Sequence, residues 1–177
     1  MTPSLQPEQA MLLLQLELPA LQREHATTRN VIVAIPPEKG DYRPDPFSKS
    51  ALELAWHVVA AEQRFYRGIA GGAFDFAPIH RPDNVKTSAD IADWFDASFA
   101  QSLASLEKLT GNELLKIVDF RGIMQIPAVL YLQIAARHSI HHRGQLTAYL
   151  RAMGGKVPAI YGESYDSAEA KKVAQAN

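Results

Sequence analysis

The stretch Arg137-His138-Ser139-Ile140-His141-His142-Arg143-Gly144-Gln145-Leu146 decides how the rest of the chain is read. It lies inside a helix-compatible run that opens at Pro127, a favoured first-turn residue, and stops at Met153-Gly154-Gly155. Positions four apart share a helix face, so His138 and His142 point the same way. Their neighbours on that face are Tyr131, Ala135, Leu146, Tyr149 and Met153, mostly apolar, which turns the pair toward a core. His141 falls about 100° back from His142, at the edge of the face. Away from the histidines the helix carries Ala136, Ile140, Gly144 and Ala148 at spacings of four. Residues that small allow close approach of another helix, from the same bundle or from a second copy of the chain.

Three more helical runs come before this one. The first spans about Pro7 to Ile35, with Pro19 inside it predicting a kink or two shorter helices, and Pro36-Pro37 halts it. The second starts at Ser50-Ala51-Leu52-Glu53, a capping box, and ends at Gly71-Gly72. The third begins near Thr87 with Asp90 as capping partner. Its stripe of Ile91, Trp94, Phe95, Phe99, Leu103, Leu106 and Leu109 has the three-and-four spacing of one buried face, and Gly111 is expected to close it. From Gly111 to Gln125 the pattern is irregular. Ile117-Val118-Asp119-Phe120 suits a short strand there, marginal if alone. The polar end, Ser167 to Asn177, reads as a short helix or a frayed terminus. The expectation is an all-α, four-helix bundle over about residues 7–153 with a tail over 154–177, in one domain spanning 1–177. The loops exceed the short connections of a simple up-down bundle, so at least one crossover is expected.

Composition narrows the function classes. The chain has 177 residues, 18 Lys+Arg against 19 Asp+Glu and a formal net charge of -1. That balance argues against nucleic acid as a partner. With 47% hydrophobic and 21% charged residues the chain is too apolar to be disordered. It has no cysteine, which removes disulfides, thiolate-ligated metals and a cysteine nucleophile. No stretch approaches the roughly 20 apolar residues that span a bilayer. Met11 to Leu18 is interrupted by Gln15 and Glu17 and makes a poor signal peptide. A soluble, cytoplasmic protein without a membrane partner is expected.

The chain has six histidines. An inward pair four apart is a recurrent source of two metal ligands, and two buried imidazoles otherwise need two sets of hydrogen-bond partners. The plainer reading is a pair of capped or surface histidines in a polar patch. His57 is the best-placed third ligand, mid-helix among Leu54, Val58 and Ala61. Read alone, a histidine on an apolar face is more often a hydrogen-bonded core residue. His25, in Arg23-Glu24-His25, is expected to be exposed, and His80, in a proline-flanked loop, to be solvated.

The run His138 to Leu146 with its Met153-Gly154-Gly155 stop closely resembles the DinB-like family of metal-dependent four-helix-bundle proteins. Ser50 to Val58 resembles that family's second helix, and Ala34-Ile35-Pro36 with the loop from Tyr42 to Pro46 resembles the segment before it. The resemblance covers about residues 7 to 165. It implies up-down-down-up helix order, a homodimer, and one divalent transition metal per chain held by His57, His138 and His142. His141 matches a neighbouring position that is not a usual ligand. Relatives of this fold include thiol-dependent transferases and isomerases.

Three neutral imidazoles leave a divalent ion uncompensated and with open positions, which favours an anionic further ligand, hydroxide or thiolate. The expectation is a metal-dependent enzyme, with transfer chemistry that uses a small-molecule thiol, since the chain has none. The alternatives are a metal-dependent hydrolase and a non-catalytic, metal-stabilised ligand-binding dimer. Imidazole suits zinc, nickel and iron alike. Gln145 is placed to hydrogen-bond a ligand or to support packing. Tyr131 and Tyr149 flank the histidine face as pocket walls or core. Glu62 is a candidate to orient a histidine from behind or a surface residue, and Arg143 points away from the pair.

Overall fold

The Ser50 hydroxyl accepts from the Glu53 backbone N–H at 3.2 Å, and the Glu53 carboxylate accepts from the Ser50 N–H at 2.9 Å. This reciprocal cap starts α2 (Ala51–Gly71), which stops at Gly72, where φ is 70° and a side chain would be strained. Thr87 and Asp90 cap α3 (Ser88–Leu106) in the same way. The computed structural model describes residues 5–176. Of the expected helices, α1 (Pro7–Val33) is one continuous helix with Pro19 inside it rather than two.

Two other expectations need correction. Gly111 does not close α3 but opens a separate short helix, α4 (Gly111–Leu114), capped by Thr110. Glycine is required because a Cβ there would fall 2.4 Å from the Pro7 carbonyl oxygen. Pro127 does not open the last long helix. It ends β2 (Met124–Pro127), which pairs antiparallel with β1 (Ile117–Phe120), Ile117 opposite Pro127 and Phe120 opposite Met124. The short strand thus finds a partner. A 3-10 turn over Ala128–Leu130 leads into α5 (Tyr131–Ala152). The tail ends in α6 (Tyr165–Ala176).

The buried apolar residues fall into two clusters, and the clusters give the topology. One joins Ala10, Leu14 and Leu21 of α1, Phe65, Tyr66 and Ile69 of α2, Leu106, and Tyr131, Leu132 and Ala135 of α5. The other joins Val31 and Ile32, then Leu54, Ala55 and Val59, then Ile91 and Phe95, then Leu146, Tyr149 and Leu150. So α1 and α5 run from the first cluster to the second, while α2 and α3 run the other way. This is up-down-down-up. Parallel neighbours cannot be joined by a short turn, so residues 72–87, linking α2 to α3, cross the length of the bundle.

Each helix places polar residues between its two apolar halves. They are Glu24, His25 and Thr28 on α1, Glu62 and Gln63 on α2, Ser98 and Ser102 on α3, and His138, Ser139, His142 and Arg143 on α5. Most of them are buried. The bundle therefore holds a polar layer at mid-height, with apolar clusters above and below. Arg143, 2% exposed, is matched there by the Glu24 carboxylate at 2.6 Å, with Thr28 and the Tyr161 hydroxyl of the tail as further partners. The buried Arg143 charge is thus paired, as its desolvation demands.

Candidate metal centre

His57 reaches the polar layer from α2, and His138 and His142 reach it from α5. The Nε2 atoms of His57 and His142 lie 3.3 Å apart. One ligand nitrogen from each of the three half-buried rings falls within 4.8 Å of the others. Nitrogens at about 2.1 Å from a tetrahedral ion stand about 3.4 Å apart, so the His57–His142 spacing already suits one. No carboxylate joins the group among the described residues.

The protonation preferences agree with ligand roles. Burial, then the neighbouring imidazole of His142, holds His57 down at about 4, with Lys49 and Arg64 adding to the effect. His138 is likewise held at about 4 by burial and by His142, His57 and His141. Both are neutral near pH 7, the state in which a ring nitrogen can bind a metal. Nδ1 of His142 lies 3.0 Å from Oε1 of Gln145, and Nδ1 of His138 is buried without a hydrogen-bond partner. Three imidazoles with two Nε2 atoms facing each other are a set of donors fit for a borderline divalent ion.

The other residues singled out in the sequence divide. Gln145 does contact a histidine, through the hydrogen bond just given. Tyr149 is buried, and its hydroxyl lies 3.4 Å from Gln145 Nε2. His141 is exposed and touches the group only edge-on against His142, with ring centroids 4.8 Å apart. Tyr131 is no pocket wall. It is fully buried, with its hydroxyl 2.8 Å from the Val118 carbonyl and 3.0 Å from that of Met124, which pins the hairpin to α5. Glu62 is neither at the surface nor bonded to a histidine. It is buried and accepts from the Ser139 hydroxyl at 2.6 Å. His25 is not exposed either. It stacks on Phe99, contacts Phe95, and bonds Asp96 at 2.8 Å. The charged residues just before it in sequence mislead, because its real partner is 71 residues away. His80 is exposed as expected.

The sequence reading passed over Lys49 and Arg64. Arg64 lies seven residues beyond His57, two helical turns along the same face, and that spacing was the available signal. Its guanidinium donates to the carbonyls of Asp75 and Ala77 and so holds the crossover segment beside α2.

An up-down-down-up bundle whose central layer converges three imidazoles from its second and last long helices defines the class. The chain belongs to the DinB family, whose model matches residues 12–174. It is 30% identical over 115 residues to the uncharacterized protein YjoA of Bacillus subtilis (strain 168), which is 64% of this chain and 73% of YjoA. It is 37% identical over 113 residues to uncharacterized YrdA of the same organism, 62% of this chain and 64% of YrdA. The crystal structure of the DinB-like YjoA from Bacillus subtilis superposes with a TM-score of 0.67 at 25% identity, covering 84% of this chain and 99% of that one. A DinB-like protein from Bacillus cereus ATCC 10987 gives 0.67 at 24% identity, over 82% and 95%. No helix among the described residues is long and apolar enough to cross a membrane.

Proposed function

We propose that the chain is a metal-dependent enzyme with one divalent transition ion, zinc, nickel or iron, held by His57, His138 and His142. The observation that carries the reading is the convergence of three imidazoles without any carboxylate. Three protein ligands leave positions open, the arrangement of catalytic rather than structural sites. A bound ion supplies Lewis acidity and lowers the proton affinity of a water or thiol at an open position.

The chain's own residues favour an anionic partner for that position. All three ligands are neutral, and the charges of Lys49 and Arg64 act on His57. A low-molecular-weight thiol that reacts as its thiolate fits this field, and since the chain has no cysteine the sulfur must arrive with a cosubstrate. The reaction class is therefore transfer of a small thiol to an electrophile. The test has two arms. Elemental analysis of tag-free protein is expected to find near-stoichiometric metal that is lost in His142→Ala, and unchanged metal in that variant refutes the site. With the metal defined, a matrix of electrophiles against several small thiols is expected to show thiol consumption that chelators abolish. Consumption indifferent to chelation refutes the chemistry.

The working form in this reading is a homodimer. Ala136 and Ile140 are half-buried, Gly144 and Ala148 are exposed, and nothing lies within 4 Å of where a Gly144 Cβ would be. That side of α5 leaves room for a second copy. Light scattering at micromolar concentration is expected to give twice the 19.5 kDa chain mass, and a monomer mass refutes the dimer.

A further inference from the structure

The hydrogen bond from His142 to Gln145 does not end at Gln145. Gln145 Nε2 lies 3.4 Å from the Tyr149 hydroxyl, and that hydroxyl lies 3.3 Å from the backbone carbonyl oxygen of Lys49. These are long but directed contacts, and each has a chemical direction. A backbone carbonyl can only accept, so Tyr149 must spend its single hydrogen on Lys49. Tyr149 then has only lone pairs to offer Gln145, and the amide must turn its NH2 toward the hydroxyl. The amide oxygen is left facing His142, so Nδ1 of His142 carries the hydrogen. The lone pair of that ring is then at Nε2, the atom 3.3 Å from Nε2 of His57.

We infer that Gln145 and Tyr149 are positioning residues, a one-way hydrogen-bond relay by which the Lys49 carbonyl fixes His142 in the Nδ1–H tautomer and so presents its Nε2 lone pair to the metal position. The inference rests on the metal-site reading for its purpose but not for its geometry. The reversed relay costs a hydrogen bond at its Lys49 end. A flipped Gln145 amide takes the Tyr149 hydrogen for its own oxygen, which leaves the Lys49 carbonyl facing a bare hydroxyl oxygen, and sets its NH2 against a ring nitrogen that accepts only if Nε2 carries the hydrogen. The relay is also mechanically well seated. Tyr149 is buried, and its ring meets the Tyr42 ring edge-on at 5.7 Å. Lys49 directly precedes the Ser50 cap of α2, the helix that carries His57. One chain of three contacts therefore joins the ligand helix α5 to the start of the other ligand helix. Ligating histidines commonly have their second nitrogen bound in this way, and loss of such a partner costs about 10–100-fold in metal affinity.

The test uses the full chain and two readouts. In metal-free protein at about pH 8, long-range proton–nitrogen correlation spectra report which nitrogen of His142 is protonated. Zinc affinity is measured by competition with a chromophoric chelator. Wild type is expected to show the Nδ1–H tautomer. Gln145→Leu, which offers no acceptor, is expected to show mixed tautomers and zinc binding weaker by about 10–100-fold. Tyr149→Phe, which removes only the direction of the relay, is expected to fall between the two. Gln145→Glu, an acceptor that cannot be turned the wrong way, is expected to keep the Nδ1–H tautomer and bind zinc at least as tightly as wild type. A wild-type His142 in the Nε2–H form overturns the inference. So does an unchanged tautomer in both Gln145→Leu and Tyr149→Phe. If Gln145→Leu does not fold, Tyr149→Phe and Gln145→Glu decide. A wild type that binds no zinc refutes the proposed function while the tautomer spectra still decide the relay.

Discussion

Replacing Glu62 by glutamine is expected to change how the melting temperature depends on pH. Glu62 is 4% exposed, and Oε2 accepts from Ser139. Burial pushes its carboxyl up from 4.5 to about 7, against smaller opposing effects of the Ser139 and Tyr66 hydroxyls and the Arg143 charge. The folded chain therefore holds this proton more tightly than the unfolded chain does. The resulting stability is full below about 4.5 and is lost as pH rises through about 7. A displacement of that size corresponds to about 3 kcal/mol, of which about 2–3 kcal/mol is lost between pH 5 and pH 8. For a chain of this length that is about 5–10 °C in melting temperature. His25, His57 and His138, lowered by burial, act with the opposite sign, but they are common to both proteins and cancel in the difference. The assay is a melting series at pH 5, 6, 7 and 8 in the presence of chelator, read as wild type minus Glu62→Gln. The difference is expected to move against wild type by about 5–10 °C from pH 5 to pH 8. A difference independent of pH refutes the reasoning, whatever its constant offset, because the offset reports only how well glutamine fits beside Ser139.

Three further outcomes follow from other parts of the polar layer and the fold. Glu24→Gln leaves the Arg143 charge buried without its counter-charge and is expected to cost about 3 kcal/mol, the low end for such a loss because Glu24 is itself 21% exposed. Urea unfolding midpoints measure it, and a shift within error shows that Thr28 and Tyr161 suffice for Arg143. In metal-free protein, His57 and His138 are held at about 4 against an ordinary 6.5, so the unfolded chain takes up protons first. Stability present above 6.5 is therefore lost as pH falls toward 4, and His57→Ala/His138→Ala is expected to flatten this acid limb in urea titrations at pH 4.5 and 7.5. Gly111→Ala forces a Cβ to 2.4 Å from the Pro7 carbonyl and is expected to cost about 1–3 kcal/mol; a melting temperature equal to wild type shows that the start of α1 yields freely.

Much of this was legible because the relevant signals are local. The caps at Ser50-Glu53 and Thr87-Asp90 act over three residues, and the sequence places α2 and α3 to within a residue at their starts. The shared face of His138 and His142 follows from helix pitch alone. What failed depends on distant partners. Pro127 fits a helix start as well as a strand end, and only β1 across the hairpin decides for the strand. Gly111 fits a helix stop, yet its real constraint is the Pro7 backbone, more than a hundred residues earlier. Glu62 and His25 carry the composition of surface residues. Their burial comes from Ser139 and from Asp96 with two phenylalanine rings, contacts that no window of sequence contains. Gln145 lay within reach, three residues after His142, but the far end of its relay, the Lys49 backbone carbonyl that accepts from Tyr149, leaves no mark in residue types.

The crossover topology sets an order of assembly during synthesis. The parallel α2 and α3 lie side by side, as do α1 and α5, so neither pair can zip up from a tight turn. The two helices that converge on the histidine group are separated widely in the chain, with His57 and His142 85 positions apart. Loop closure over such a distance is slow compared with local helix growth. A growing chain can form α1, α2 and α3 while the centre still holds one imidazole. The remaining two arrive together, on the last long helix. Under the proposed metal site, ion capture would therefore belong to the final docking step, because a chain ending before α5 carries only one of the three imidazoles.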